Sequence, residues 1–527
     1  MEFDPRTEIN SLKQKKTESQ KPIPKKTFNF DRSNFIHMKS KSLFDEYIIK
    51  EKLGEGAYGC VYKVQHKHTN FLRAVKAIKR KHIDSTAFSN EIGILKTVDH
   101  PHIIKLFECY YDNNYYYMVE EFCSGGDLYD YIRKQKFFTE KTAANILFQL
   151  LNCVNYLHKK NIVHRDLKPE NIVFVKDEKK KNINNKFNIL NEENNTEKNY
   201  SNVNTSNNEN SINKNDEKIF IKLIDFGTSV HLTKNNNLTQ ELGTIYYIAP
   251  EVFKNNYNEK ADVWSCGIIL YIMLCGHPHF TGKKEEDIKK KILYSPLNFP
   301  KKEFQKISPS AIKFVKELLT YDFKKRISAE NALNNEWLNK MLKIPDEEIK
   351  NNQINILNNL SKFTSVLTLQ KATLSFMTNQ ISINDEIKRL KNEFDKIDTN
   401  HDGMISKEEL IHCLELIHPH NEAIIKANEI FNEIDFNNDG TINFSEFITV
   451  NMEKNKVLNE EMLKNAFNNF DLDGNGYITI DELKETIPLE IQNNSQWIEI
   501  VKEVDQDGDC QINYEEFKSM MEKICEL

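Results

Sequence analysis

At 527 residues, 39% of them hydrophobic, the chain is too long for one core and is expected to fold as two or three domains. Its formal net charge of −6 hides an asymmetry: residues 385–527 hold 33 acidic and 13 basic side chains, a balance of −20, which leaves +14 for the rest. Nine cysteines without CxxC spacing argue against a disulfide framework or structural zinc and for a reducing, cytoplasmic setting, while the longest apolar stretch, Trp264 to Cys275, is far short of the roughly 20 residues a transmembrane helix needs.

In chain order, residues 1–46 are polar and rich in lysine, which reads as a flexible basic arm with one ordered piece near Phe28 to Phe35. No secretory signal opens it, and Glu2 offers no N-myristoylation signal. Alternating strand-like runs begin at Tyr47 and give way to helical stretches near 140–159, 261–275 and 309–320, so residues 47–338 are expected to form a two-lobed α+β domain. An Asn/Lys/Glu-rich segment at 175–218 cannot bury enough apolar surface to order itself, and it reads as a disordered insertion that lengthens the hairpin loop between NIVF and IKLIDFG. After Trp337 the chain is polar and helical, with a repeat of 34–37 residues between 382 and 527.

The motifs carry phosphoryl-transfer chemistry. The run GEGAYG, Gly54 to Gly59, with Glu55, Ala57, Tyr58 and then Val61, lets backbone amides approach phosphate oxygens, although many such runs are only turns. Lys76, in an apolar strand, suits a cation over the α- and β-phosphates, and Glu91 on the next helix can fix that ammonium; alone, such a pair is commonly a surface salt bridge. HRDLKPEN at 164–171 supplies Asp166 to accept the proton of an incoming hydroxyl, Lys168 to stabilise the transferring phosphoryl group, and Asn171 to hold magnesium; Asp225 in IDFG offers a second magnesium contact.

Glycine loop, strand Lys, helix Glu, HRD loop, DFG and Ala249-Pro250-Glu251 occur in the order of the eukaryotic protein kinases, which residues 47–338 resemble. Lys168 two residues after Asp166, with Gly243-Thr244 ahead of APE, matches the Ser/Thr class. The resemblance implies ATP and Mg2+ as cofactors, with Leu53, Glu121, Cys123 and Asp127 joining the nucleotide site. It pairs Arg326 with Glu251 and places Asp262 in DVWSCG. Asp127 and Glu170 fall where related kinases place carboxylates that meet substrate arginine, which predicts basic residues upstream of the acceptor; the alternative is that Asp127 touches only ribose. The gatekeeper position falls on Glu120, a carboxylate costly to bury unpaired. Arg165 of HRD can meet a phosphate on Thr239, or Glu241 can supply a permanent charge.

The acidic tail resolves into four twelve-residue loops of oxygen ligands suited to calcium. Their ligand positions are Asp398, Asn400, Asp402, Met404 and Glu409, with Ser406 between; Asp435, Asn437, Asp439, Thr441 and Glu446; Asp471, Asp473, Asn475, Tyr477 and Glu482; and Asp505, Asp507, Asp509, Gln511 and Glu516. The eighth positions, Ile405, Ile442, Ile478 and Ile512, predict strand pairing of neighbouring loops. Cys510 stands where the other loops have glycine, at a cost on the order of 1 kcal/mol in a left-handed backbone.

Between the two domains, Ile356, Leu360, Phe363, Leu367, Leu374 and Met377 mark one helical stripe, broken only at Gln370. Kinase, junction and a calmodulin-like EF-hand domain in this order resemble the calcium-dependent protein kinases of plants and apicomplexan parasites. That resemblance implies a multidomain α+β and all-α fold: a bilobal kinase, a junction helix at 339–381 and four EF-hands at 382–527. It also implies protein substrates, Ca2+ as activator and a junction helix that inhibits the kinase at low calcium. Neither nucleic acid nor a second copy is expected as partner. The alternative is a calcium-dependent scaffold or pseudokinase, against which Lys76, Asp166 and Asp225 all speak.

Overall fold

Alternation along the first strands sends every second side chain to one face. Val61 stands opposite Lys76 in register, and Tyr62 opposite Val75 on the other face. The computed structural model describes residues 31–56, 59–82, 85–176, 219–233, 237–342, 349–363, 367–487 and 494–526. These fall into two units, Met1–Phe122 with Asn155–Lys159 and Ile344–Leu527, and Cys123–Val154 with Lys160–Lys343.

In the first unit, β1 (Met38–Lys39), β2 (Tyr47–Glu55), β3 (Gly59–His66), β4 (Leu72–Lys79), β5 (Leu106–Tyr111) and β6 (Tyr115–Glu121) form one sheet in the order β1-β5-β6-β4-β3-β2. Helix α1 (Ser85–Thr97) buries Phe88, Glu91, Ile92, Ile94 and Leu95. Arg32–Phe35, within the piece expected to be ordered, form a 3-10 turn capped by Asp31, whereas residues 36–46 differ from the expected flexible arm, with β1 pairing in parallel with β5. The cause is burial, since Phe35, Ile36 and Leu43 leave water. The remainder of that arm, 1–30, lies outside the described residues.

The same unit holds the calcium module. Its core takes in α5 (Ile349–Lys362) and α6 (Thr368–Gln380) together with the EF-hand helices. Two helices thus replace the single junction helix expected at 339–381, and Leu342 closes the helix before them. Leu367 takes extended backbone at the N-cap of α6, which lets Phe363 and Leu374 both turn into the core. Gln370 does not break the stripe; it is buried, and its Nε2 donates to the Met520 carbonyl at 2.7 Å.

The second unit is mostly helical. It contains α2 (Leu128–Gln135), most of α3 (Glu140–Lys159) and α4 (Lys260–Cys275), which is buried from Ala261 to Leu274, as suits a helix apolar on every side. Four short strands frame the loops that matter: β7 (Ile162–Val163) pairs with β10 (Val230–His231), and β8 (Ile172–Phe174) with β9 (Ile221–Leu223). Ile172 stands opposite Leu223 and Phe174 opposite Ile221, so the 175–218 insertion does connect two paired strands; its residues 177–218 lie outside the described ones.

Candidate active site and calcium loops

In the first unit, β2 and β3 bring Gly54 opposite Val61 and Glu55 opposite Cys60, and the Gly56 amide donates to the Gly59 carbonyl at 2.9 Å. Ala57 and Tyr58 lie outside the described residues. A Cβ on Gly59 would sit 1.9 Å from the Ala77 carbonyl oxygen, so no other residue fits there without moving β4. Leu53 is exposed at the mouth of this turn. Lys76 Nζ donates to Glu91 Oε1 at 2.7 Å, and Glu91 is buried, which holds the ammonium to the face it shares with Val61. Glu120 is half-buried on β6 opposite Ala74. Glu121 turns its buried side chain to the calcium module, where Oε1 accepts the Ile383 amide at 3.2 Å.

In the second unit the catalytic loop is pinned from below. The buried Asp262 carboxylate at the start of α4 accepts the amides of His164 and Arg165, both at 2.9 Å. Asp166 is then fixed at each oxygen: Oδ2 accepts Lys168 Nζ at 2.6 Å, and Oδ1 accepts the Thr244 amide at 2.9 Å and its hydroxyl at 3.0 Å. Asn171 Nδ2 donates to the Asp166 carbonyl at 2.9 Å. Asp225 is exposed in a left-handed backbone (φ 64), while Phe226 behind it packs edge-on against His164 at 5.0 Å. Burial holds the His164 imidazole pKa below its ordinary value. Arg326 and Glu251 form the expected pair, bidentate and buried, at 2.6 and 3.0 Å. Thr244 is the functional residue that motif reading missed: it served there only to mark the kinase class.

Two carboxylates border this loop. Asp127 caps α2, accepting the Asp130 amide at 2.8 Å. Glu170 has a buried Oε2 with no hydrogen-bond partner among the described residues, and burial, with Asp127 and Asp166 nearby, raises its pKa. In the activation segment, Arg165 reaches the Thr228 carbonyl at 2.6 Å and Gln240 Oε1 at 3.2 Å. Glu241 pairs with Lys289 at 3.0 Å, so the permanent charge expected opposite Arg165 is spent elsewhere and a neutral amide stands in its place. Thr239 is exposed beside it.

The four calcium loops repeat one backbone pattern. The last glutamate accepts amides from positions two, three and nine: Glu409 from Thr399, Asn400 and Ser406, and Glu446, Glu482 and Glu516 in the same way. The first aspartate accepts the amide of position six, from Gly403, Gly440, Gly476 and Cys510 in turn. Cys510 is left-handed there (φ 69). Strands β11 (Met404–Ser406) and β12 (Thr441–Asn443) face Ile405 with Ile442, and β13 (Tyr477–Ile478) and β14 (Ile512–Asn513) face Ile478 with Ile512. Carboxylate oxygens of Asp471, Asp473 and Glu482, and of Asp505, Asp507 and Asp509, lie within 4.8 Å of one another. Burial and then Asp402 push the Asp398 carboxyl up to about 8. Such crowding of acceptors fits a hard divalent cation.

Residues 47–338 match the protein kinase domain family, and residues 387–450 and 460–522 each match the EF-hand domain pair. Calcium-dependent protein kinase 4 of Plasmodium berghei (strain Anka) is 36% identical over 540 residues, covering 98% of this chain and 94% of that protein. Calcium-dependent protein kinase 4 of Plasmodium falciparum (isolate 3D7) is also 36% identical, over 538 residues with the same coverage, and calcium-dependent protein kinase 5 of that organism is 34% identical over 504 residues, with 93% and 81% covered. The chain belongs to the calcium-dependent protein kinase family. It is a calcium-regulated protein Ser/Thr kinase that uses ATP and Mg2+, with Ca2+ taken by its EF-hands. Among its described residues no helix is long and apolar enough to cross a membrane.

For a calcium-dependent protein kinase, the surroundings of α6 are informative. Lys371 Nζ bonds Glu433 Oε2 at 2.6 Å, and the hydroxyls of Thr378 and Thr449 lie 2.9 Å apart. At the end of α6 the buried Arg73, on β4, donates to the Gln380 carbonyl at 2.6 Å and to Ser382 Oγ at 3.0 Å. The first calcium loop also has a kinase partner: Asn155 Nδ2 donates to the His401 carbonyl at 2.9 Å, and Gly403 (φ 80) lies so close that a Cβ would meet His100 at 2.8 Å and Tyr156 at 2.9 Å.

Proposed function

We propose that this kinase phosphorylates Ser and Thr in protein segments with basic residues upstream of the acceptor, that residues 339–381 restrain it at low calcium, and that calcium binding to all four EF-hands releases the restraint. The observation that carries the switch is the packing of α6 among EF-hand groups, from Met520 to Glu433 and Thr449, which ties the segment after the kinase to the calcium sensor. The energetics are adequate. Moving a population from 1:99 to 99:1 takes about 5.5 kcal/mol, and four sites each tenfold tighter in the active state supply about 1.4 kcal/mol apiece.

In catalysis, Mg-ATP supplies the transferable phosphoryl group when bound. Lys76, fixed by Glu91, and Lys168 offset negative charge; Asn171 and Asp225 are the residues that would hold magnesium; and Asp166, held by Lys168 and Thr244, orients the hydroxyl nucleophile and takes its proton. Catalysis is then mostly positioning and charge stabilisation. The unpartnered Glu170 oxygen supports the basic preference, because a buried acceptor gains most from a charged donor such as arginine. Gln240 opposite Arg165 supports activity without a phosphorylated activation segment. Nine cysteines without CxxC spacing accord with a reducing, cytoplasmic setting, and the chain is read as a monomer.

The test is phosphate transfer to a basic Ser/Thr peptide by the full-length chain with Mg-ATP, in chelator and at micromolar free calcium. The reading expects strong stimulation by calcium; equal rates in both conditions would leave a kinase without a switch.

A further inference from the structure

Residues 31–46 lie outside the stretches that either domain family matches, yet they are tied into the machinery at three points. First, Arg32 is buried, with 7% exposure, and its guanidinium donates to the carbonyls of Val98 at 2.8 Å and Leu106 at 2.7 Å. Val98 directly follows α1, the helix that carries Glu91, and Leu106 opens β5. One cation therefore holds both ends of the connection between them.

Second, Phe35 is buried against two elements of the calcium module. Its ring lies edge-on to Phe376 of α6 at 5.4 Å and to Phe470 at 6.4 Å, and Phe470 immediately precedes Asp471, the first ligand position of the third loop. Third, β1 adds to β5, with Lys39 reaching Glu108, whose other oxygen is held by the hydroxyls of Tyr47 at 2.6 Å and Tyr110 at 3.0 Å. The connection that Arg32 ties is also gripped by the second EF-hand, since Asp99 accepts the Ser445 amide and hydroxyl, both at 2.9 Å.

We propose that residues 32–39 form a positioning strap, in which Phe35 registers the seating of α6 and the third calcium loop, and Arg32 conveys it to α1 and hence to the Glu91–Lys76 pair. Arg32 is a positioning residue; it touches neither nucleotide nor substrate. A buried guanidinium bonded to carbonyls loses heavily if those acceptors shift, so the strap favours one placement of α1. Truncation of Phe35 removes the contact that couples this placement to calcium. The proposal rests on calcium activation as read above. By linkage, whatever calcium does for α1, α1 does for calcium affinity.

Four full-length variants test it: Phe35→Ala, Phe35→Leu, Arg32→Gln and Arg32→Lys. Each is measured for kcat, for KM of ATP and peptide, for the calcium that half-activates, and for calcium affinity by calorimetry. Phe35→Ala is expected to raise half-activating calcium about tenfold, within the usual range of coupling, with calcium affinity falling by the same factor and with Phe35→Leu restoring part of both. Arg32→Gln is expected to lower kcat about tenfold at saturating calcium while leaving peptide KM unchanged, with partial rescue by Arg32→Lys. Arg32→Gln opens no large cavity and carries the test if Phe35→Ala does not fold.

A wild type stimulated by calcium, with Arg32→Gln and Phe35→Ala matching its kcat and half-activating calcium, would overturn the strap and leave the switch standing. Lowered melting temperatures with unchanged calcium dependence would overturn it equally, as a structural role only. A wild type indifferent to calcium would overturn both.

Discussion

The catalytic loop and α6 are held by different kinds of force. Around Asp166 the described anchors are polar and lie within its own unit: Asp262 fixes the backbone, and Lys168 and Thr244 fix the carboxylate. Around α6 the hold is chiefly apolar, through Leu369, Ala372, Leu374, Phe376 and Met377, with a few polar anchors such as Arg73 and Met520. A geometry fixed by short charged hydrogen bonds is insensitive to distant packing, whereas a helix held by a shared apolar core responds to any rearrangement of that core. On the proposed reading the chemistry is constitutive in the second unit and calcium acts through the first, where α1 and β4 carry Glu91 and Lys76.

The strongest way to break that comparison is at Asp166. Asp166→Asn keeps the Thr244 hydrogen bonds and removes the proton acceptor, so kcat should fall about a thousandfold with calcium and without, while calcium affinity is unchanged. A calcium-dependent deficit would mean the catalytic loop is itself part of the switch. Next in size is Arg326→Leu, which strands the buried Glu251 and should destabilise the second unit by about 3–5 kcal/mol. Calorimetry in chelator and in calcium should give the same loss.

How much could be read in advance follows the same division. The catalytic loop, the DFG segment, the Glu251–Arg326 pair and the four calcium loops are legible because their chemistry is local or fixed by residue type at set spacing. Arg73, Asp99, Arg32 and Phe35 were not legible. Their long-range partners lie 66 or more residues away, and nothing in a lone arginine or phenylalanine names a carbonyl or ring so far along the chain. The division into α5 and α6 was hidden for a related reason: the apolar stripe keeps its period from one to the other, so periodicity alone reads two helices as one. Glu241 misled because a carboxylate in the activation segment suggests a charge opposite Arg165, whereas in the fold it pairs with Lys289.

Arg73→Gln sharpens the comparison from the calcium side. It removes the charge that holds the end of α6 to β4, and half-activating calcium should rise about tenfold, a loss of roughly 1.4 kcal/mol of coupling. Activity of the same variant in chelator should not change. Glu170→Gln belongs to the other region: KM for a basic peptide should rise about tenfold at any calcium level, with kcat retained. Because burial raises the Glu170 pKa, its carboxyl takes a proton at higher pH than an ordinary carboxylate. KM for the basic peptide should therefore begin to climb, as pH falls, before that of a neutral peptide.

The smallest expected effect is at Cys510. Its amide makes the same bond to Asp505 that Gly476 makes to Asp471, at 2.9 Å in both, so the fourth loop is closed like the third and differs from it in backbone cost. A non-glycine residue at φ 69 carries about 1 kcal/mol of left-handed strain. Cys510→Gly should relieve it and tighten the fourth site about fivefold, while Gly476→Ala should weaken the third by a like factor, both read from calcium titrations of the full-length chain. Strand pairing of Ile478 with Ile512 joins the two loops, so each substitution should also move its neighbour in the same direction. If Cys510→Gly leaves the fourth site unchanged, the loop absorbs the strain on binding and the cysteine is neutral for calcium. If it moves the fourth site and not the third, the strand pair does not transmit binding between loops.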